Sequence, residues 1–335
     1  MKLFHSLLYP LLGGLFCLSC SDDEQDSGTK QPTTAGEVTF GVDLTGFSTR
    51  VTQDGSSWND GDKIGTYVLD MKTLEPVTEA ANVPYVCSEE GASVSFTSTT
   101  PLKVQNDGTP VKFVAYYPYN ADVRNFNYPV QLAAQERGST ACDLLYAATK
   151  EEYTYSPENE PHISLNFTHR LAKVILKFVN MEKEPLEVSD VRIEGMQTAA
   201  SFNIQTDVLT VDESSVATIN PYHNATTGFY EAIILPSALT DSYKVSFVLD
   251  DREKEWIFTN LDIALPQFHK GYSYTFALYI DDSGFVEMGR LENVEGGNSS
   301  APWEDGSSED GTAEGDKTPV SGYAFTPADL SLIHI

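Results

Sequence analysis

Basic residues are scarce in this chain. Its 21 Lys and Arg stand against 49 Asp and Glu, a formal net charge of −28. Nucleic acid and anionic lipid surfaces are bound through Lys and Arg that neutralise phosphate, so the balance argues against both as partners. Cysteine is scarcer still. Of the four, Cys17 and Cys20 lie in the first 20 residues, which leaves Cys87 and Cys142 for the rest. Two cysteines do not disclose a pairing, so a disulfide and two free thiols stay equally open. Histidines stand at 5, 162, 169, 223, 269 and 334, scattered along the chain. H-E-x-x-H, G-x-S-x-G, a Walker loop and a dinucleotide fingerprint are all missing, and we expect no catalysis and no cofactor. Asp60 and Asp62 lack the periodic oxygen spacing of a calcium loop, so we expect no metal there. Finally, no apolar period of 3.6 residues is sustained beyond the N-terminus, which argues against a helical fold.

The one long apolar run is Leu3 to Leu18, preceded by Lys2 and followed by the small Ser19. It falls short of the roughly 20 residues that span a bilayer. With its positive start it reads as a secretory signal, residues 1–19, set aside from the fold. Cys20 comes next. A bacterial lipoprotein signal has this form: the cysteine thiol receives a diacylglycerol and becomes the new N-terminus. Ordinary secretion is the simpler alternative. Residues 20–36, acidic at Asp22, Asp23 and Glu24, read as a self-repelling, extended tether. One acyl chain binds membranes marginally, whereas two or three hold firmly, at about 0.8 kcal/mol per buried CH₂. The chain reads as anchored through Cys20.

Beyond the tether the chain is rich in Thr, Ser, Tyr, Phe and Val, with many Gly and Pro, and reads as all-β. Its length favours two domains. From Glu37 to Gly46 the pattern alternates, with Val38, Phe40, Val42 and Leu44 on one face, as in a half-buried strand. Asp60-Gly61 supplies a turn before a strand at Ile64–Leu69. Further strands are expected at Val83–Cys87, Ala92–Thr97 and Val111–Tyr119, where Pro118 either stops the strand or confines it to an edge. Phe113, Ala115 and Tyr117 share a face and suit a core, while Trp58, Tyr116, Tyr119 and Trp303 are candidates for stacking on sugars. Asp143–Ala148 closes a first domain, 37–160, whose polar end, Glu151 to Pro161, reads as a linker.

A second domain, 161–292, opens with the alternating Ile163, Leu165 and Phe167. His169, at the next turn, reads as a hydrogen-bonded structural residue. Leu171–Val179 contains helix formers, but Val174, Leu176 and Phe178 alternate with Ile175 and Lys177, which favours a strand. Short strands at spacings near ten residues continue to Tyr279 and suit a sandwich. Between Asp281 and Asp316 there are eleven carboxylates and one Arg, so the tail, 293–335, lacks the apolar surface to fold alone. Its end, Val320 to Ile335, turns apolar again and reads either as a strand to be offered elsewhere or as a foreign end.

The lipoprotein start, S-T-R-V (48–51), W-N-D-G-D-K-I-G-T-Y (58–67), F-V-A-Y-Y-P-Y (113–119), D-L-L-Y-A (143–147), F-T-H-R-L-A-K-V (167–174) and the late Trp303 among acidic and Gly residues come in a telling order. Together they resemble the fimbrillin (Mfa-like) family, the type V pilins of Bacteroidota, from about Glu37 to Gly306. The resemblance implies two tandem transthyretin-like β-sandwiches. It implies that Ser21, Asp22, Asp23 and Glu24 form a surface-export signal directing the lipoprotein to the outer face of the outer membrane. It also implies that a trypsin-like protease cuts after an arginine and releases the lipid with an N-terminal strand, so that a strand from another subunit takes its place. Here the removable strand would carry Val38, Phe40, Val42 and Leu44, the cut would fall after Arg50, and Val320–Phe325 would be the donor. An ordinary exposed arginine before a turn is the other reading of Arg50, and anchor subunits of the family keep their lipid. The implied partners are other fimbrial subunits, in a homo- or heteropolymer, the outer membrane, and a host or bacterial surface ligand. A surface glycan-binding lipoprotein is the alternative function.

Overall fold

The computed structural model describes residues 35–43, 58–78, 81–91, 93–138, 140–158, 160–180, 186–238, 243–249, 254–259, 267–280, 286–290 and 304–305. All of them lie in one compact unit that begins at Thr34. Among the described residues the regular structure is strand, apart from a 3₁₀ turn at Thr140–Cys142, so the fold is all-β.

The first half supplies β1 (Ala35–Glu37), β2 (Thr39–Asp43), β3 (Lys63–Asp70), β4 (Val83–Cys87), β5 (Ser93–Thr97), β6 (Lys103–Gln105), β7 (Val111–Tyr117), β8 (Asn127–Gln131), β9 (Leu145–Ala148), β10 (His162–Ser164) and β11 (Thr168–His169). Eight of these form one sheet in the order β10-β2-β5-β4-β3-β7-β9-β11, and β1 pairs separately with β6. The period of two decides which core each side chain enters. Along β3, Ile64 and Val68 turn into one core while Tyr67 and Leu69 turn into another, so the strand is buried almost throughout. Phe113 and Ala115 of β7 lie in the first core with Tyr117 packed against it, as their shared face requires, and Val114 and Tyr116 enter the second.

The second half supplies β12 (Ala172–Asn180), β13 (Val188–Gln197), β14 (Ala199–Asn203), β15 (Val208–Val211), β16 (Val216–Ile219), β17 (Tyr222–Asn224), β18 (Phe229–Ile234), β19 (Ser237–Ala238), β20 (Lys244–Leu249), β21 (Lys254–Thr259), β22 (Gln267–Phe268), β23 (Tyr272–Ile280), β24 (Val286–Arg290) and β25 (Glu304–Asp305). A six-stranded sheet runs β17-β18-β12-β23-β24, with β25 also on β23, and a four-stranded sheet runs β16-β13-β20-β21. A third core draws side chains from both, including Val174 and Leu176 from β12, Ile193 from β13, Phe247 from β20 and Phe276 from β23. The stretch Ala172–Asn180 is therefore strand, and alternation outweighed helix propensity.

The halves are joined by a sheet to which both contribute. β8 pairs with β14, Tyr128 opposite Phe202, and β15 closes the other edge. This sheet covers the second face of β3, β7 and β9, and its core combines Tyr67, Tyr116 and Tyr146 with Phe202, Ile204 and Ile233.

Two expectations fail around residue 160. Ile163, Leu165 and Phe167 do not open the second half; they belong to the first core, with β10 on β2 and β11 on β9. The stretch expected as a linker is packed as well: Tyr153 exchanges two backbone hydrogen bonds with Val111, and Tyr153 and Tyr155 lie on the first core. Periodicity identifies a strand but says nothing of its sheet, and a polar composition does not reveal that two tyrosines find a surface.

Candidate functional site: a slot for the N-terminal strand

Residues 35–42 alternate between outward and buried, with Gly36, Val38, Phe40 and Val42 inward. Val38 and Phe40 are fully buried and Val42 nearly so. Phe40 meets Tyr85 and Phe113 edge-on at centroid distances of 4.8 and 5.8 Å. Burying three such side chains stabilises the strand by about 1.5–3 kcal/mol each. The strand changes partners at Val38. Before it, β1 is antiparallel to β6; after it, β2 lies between antiparallel β5 and parallel β10. Val38 N–H donates to Leu102 O, Thr39 N–H to Pro161 O, and Gly41 O accepts from Leu165 N–H, each at 2.9 Å.

Tyr85 sits at the changeover. Its hydroxyl donates to Val38 O at 3.0 Å and accepts from Leu102 N–H at 2.8 Å. Burial pushes this phenol up to about 12.

Three residues from the stretch before and at β10 lean over the strand. Thr39 Oγ1 and His162 Nδ1 are 3.0 Å apart. A methyl carbon added to Gly41 would lie 2.5 Å from His162 Nε2. One added to Gly36 would lie 2.5 Å from the Tyr155 ring and 2.8 Å from Pro161 Cγ. The slot thus has a floor of apolar side chains, two flanking backbones and a strap across it. The alternation of Val38, Phe40 and Val42 shows in the sequence, but the strap of Tyr155, Pro161 and His162 does not. Its trace is the pair Gly36 and Gly41, which have no turn to serve.

Leu44, Arg50, Cys20, Ser21, Asp22, Asp23, Glu24 and the Val320–Phe325 segment lie outside the described residues, as does Trp303. Trp58 and Tyr116 are fully buried, which corrects their assignment as exposed platforms. Trp58 packs on Phe96, Tyr117 and Phe167, and the Tyr116 hydroxyl donates to Asn82 Oδ1 at 2.6 Å. Sequence alone could not see that both faces of the sheet would be covered. Tyr119 does line a cleft of about 420 Å³, with Lys63, Pro84, Val86 and Thr97–Thr99.

Asp62 accepts Asn59 N–H at 2.7 Å, and burial raises its carboxyl above the ordinary range. No group of three or more His, Cys, Asp or Glu that could hold a metal ion occurs among the described residues. Cys87 and Cys142 are both free thiols, and burial raises each. His169 Nδ1 lies 2.9 Å from Asp143 Oδ1 with both groups buried, the structural role its place at a turn suggested. Among the described residues no helix is long and apolar enough to cross a membrane.

Among the solved structures that share this fold are three from Bacteroides. A candidate cell adhesion protein of Bacteroides uniformis is 22% identical with a TM-score of 0.62, over 76% of this chain and 95% of that one. A second, from Bacteroides ovatus, is 15% identical with a TM-score of 0.59, over 77% and 97%. A third, from Bacteroides fragilis, is 16% identical with a TM-score of 0.50, over 71% and 86%. No curated protein matches the chain. The fimbrillin-like family model matches residues 49–303, most of the sequence and nearly all of the fold described above. This chain is a member of the fimbrillin-like family.

Proposed function

We propose that the protein is a surface-exposed fimbrial subunit or accessory component that joins other subunits by strand exchange and serves adhesion. The observation that carries this reading is the placement of the N-terminal strand, whose side chains are core residues although it lies outside the family-matched region. A cut after Arg50 would end its covalent tie to the body. Withdrawal would strip β5 and β10 of a partner, expose the floor around Tyr85 and Phe113, and leave Tyr85 without its acceptor. Unpaired edges of this kind are satisfied by a strand from another chain. The lipid on Cys20 would hold the uncut protein at the outer membrane, and its retention would mark an anchor role.

Mass spectrometry of the N-terminus in cell envelopes tests the reading. A lipidated Cys20 is expected in uncut protein and a fresh Val51 in polymer. A full-length chain with an unmodified Cys20 and no product beginning at Val51 would overturn it. The glycan-binding alternative rests on Tyr119 and its cleft, and affinity electrophoresis of Tyr119→Ala on polysaccharides separates the two.

A further inference from the structure

We infer that the slot chooses its incoming strand by glycine at two positions, those of Gly36 and Gly41, and that this chain's own Val320–Phe325 segment is rejected. The inference rests on the strand-exchange reading above and names the partner that would suit it.

Most of what holds β1 and β2 reads no sequence. The hydrogen bonds to Leu102, Pro161 and Leu165 engage backbone atoms, and Tyr85 asks only for a carbonyl oxygen. The inward positions of Val38, Phe40 and Val42 accept any strand with apolar residues at every second place. Such contacts give affinity without choice. Choice needs a penalty against wrong strands. The strap provides it on both faces. On the inward face, Gly36 lies beneath the Tyr155 ring and Pro161, and Pro161 is buried and has no rotamer by which to retreat. On the outward face, the His162 ring lies over Gly41 while its Nδ1 is paired with Thr39 Oγ1. A side chain at 41 must turn His162 aside and break that pairing. Real Cβ atoms do not approach other atoms within the distances found at either glycine. Neither glycine has a positive φ, so a backbone need does not account for them.

The fitting strand therefore reads glycine, any residue, apolar, Thr or Ser, apolar, glycine, apolar. Val320–Phe325 does not. Laid in the direction of β2 with Tyr323 and Phe325 at the places of Val38 and Phe40, or of Phe40 and Val42, it brings Ser321 or Pro319 to the place of Gly36 and Thr326 or Ala324 to that of Gly41. The register that puts Gly322 at the place of Gly41 brings Lys317 to that of Gly36 and Pro319 and Ser321 to those of Val38 and Phe40. The donor that suits the slot is a strand of a different subunit.

The test uses the full chain with a site for a sequence-specific protease introduced at Arg50. After cutting, it is incubated with excess fluorescent peptide, and retained label is measured after gel filtration. The native Ala35–Leu44 peptide is expected to exchange in. Its Gly36→Val version is expected to be retained about tenfold less or worse, as overpacking against buried Pro161 implies. Its Gly41→Val version is expected to be retained less than the native peptide by a smaller factor, since the exposed His162 ring can swing aside. His162→Ala in the protein is expected to restore the Gly41→Val peptide and leave the Gly36→Val peptide excluded. A peptide covering 318–327 is expected to stay out. If the native peptide never enters, the strand-exchange reading falls and the inference with it. If native and valine peptides enter alike, or the 318–327 peptide enters as well as the native one, exchange stands and glycine selection is overturned.

Discussion

The slot for β1 and β2 and the seam where β8 meets β14 are both strand pairings backed by buried apolar side chains, yet they are fastened differently. In the slot the buried fastenings are backbone hydrogen bonds, apolar side chains and one tyrosine hydroxyl; its polar side-chain pairs, Thr39 with His162 and Glu37 with Lys103, are exposed. At the seam, specific polar side chains reach from one half to the other. Gln135, 1% exposed, donates to Leu132 O and Ile233 O and accepts from Ile233 N–H at 2.7–2.8 Å. Arg170 holds Asp207 through two nitrogens and lies over the Tyr146 ring. Backbone pairing and apolar contact can be re-formed by any suitable strand. A buried amide separated from its partners is left unsatisfied and needs the same partners back. The first suits a contact that is to be exchanged, the second one that is to stay closed.

The largest effect in this comparison is expected at the slot. Phe40→Ala removes a fully buried ring and should cost about 3–5 kcal/mol. If the slot is the separable region, urea melts read by amide exchange should show residues 35–43 opening well before the seam. Loss of protection at both together would erase the distinction.

Gln135→Leu comes next. It leaves Ile233 N–H without its acceptor in a buried place and should cost about 1–3 kcal/mol. Loosening should appear across β8 and β14 with the slot unchanged. A stable variant with native protection would mean that apolar contact alone holds the seam.

Tyr85→Phe is the mildest, at about 1 kcal/mol for a lost hydrogen bond. It also carries a pH signature. The folded phenol titrates at about 12, above its ordinary 10.0, so the neutral form is the one the fold favours. Its contribution is complete below 10.0 and is lost as pH rises through about 12. Protection of residues 35–43 should fall over that window in the native chain. In Tyr85→Phe that share of the fall should vanish, leaving what the other tyrosines raised by burial contribute: Tyr67, Tyr116, Tyr128 and Tyr146, and also Tyr117 and Tyr153, which pack on the same core.

Much of the fold was legible in side-chain order. The alternations at Val38–Val42 and Val174–Phe178 each announce a strand, because a pleated backbone throws successive side chains to opposite faces. That at Ile163–Phe167 marks the buried side chains, but the strand there ends at Ser164. The burial of Trp58 and Tyr116 was not legible, since an aromatic residue looks the same whether it faces water or a second sheet. Nor was the destination of Ile163–Phe167, because hydrogen bonding between strands is a property of the backbone and carries no address.

By itself, then, the sequence determined that the chain is all-β and that the segment from Val38 is a strand with one apolar face. The tertiary structure decided that this strand lies one place in from a sheet edge beneath a strap, and that β8 and β14 close one sheet across the two halves. The physical reason is one of range. Alternation is set by neighbours a residue or two apart, whereas partners 122 residues distant, such as Thr39 and Pro161, are chosen only when every competing face has found its cover.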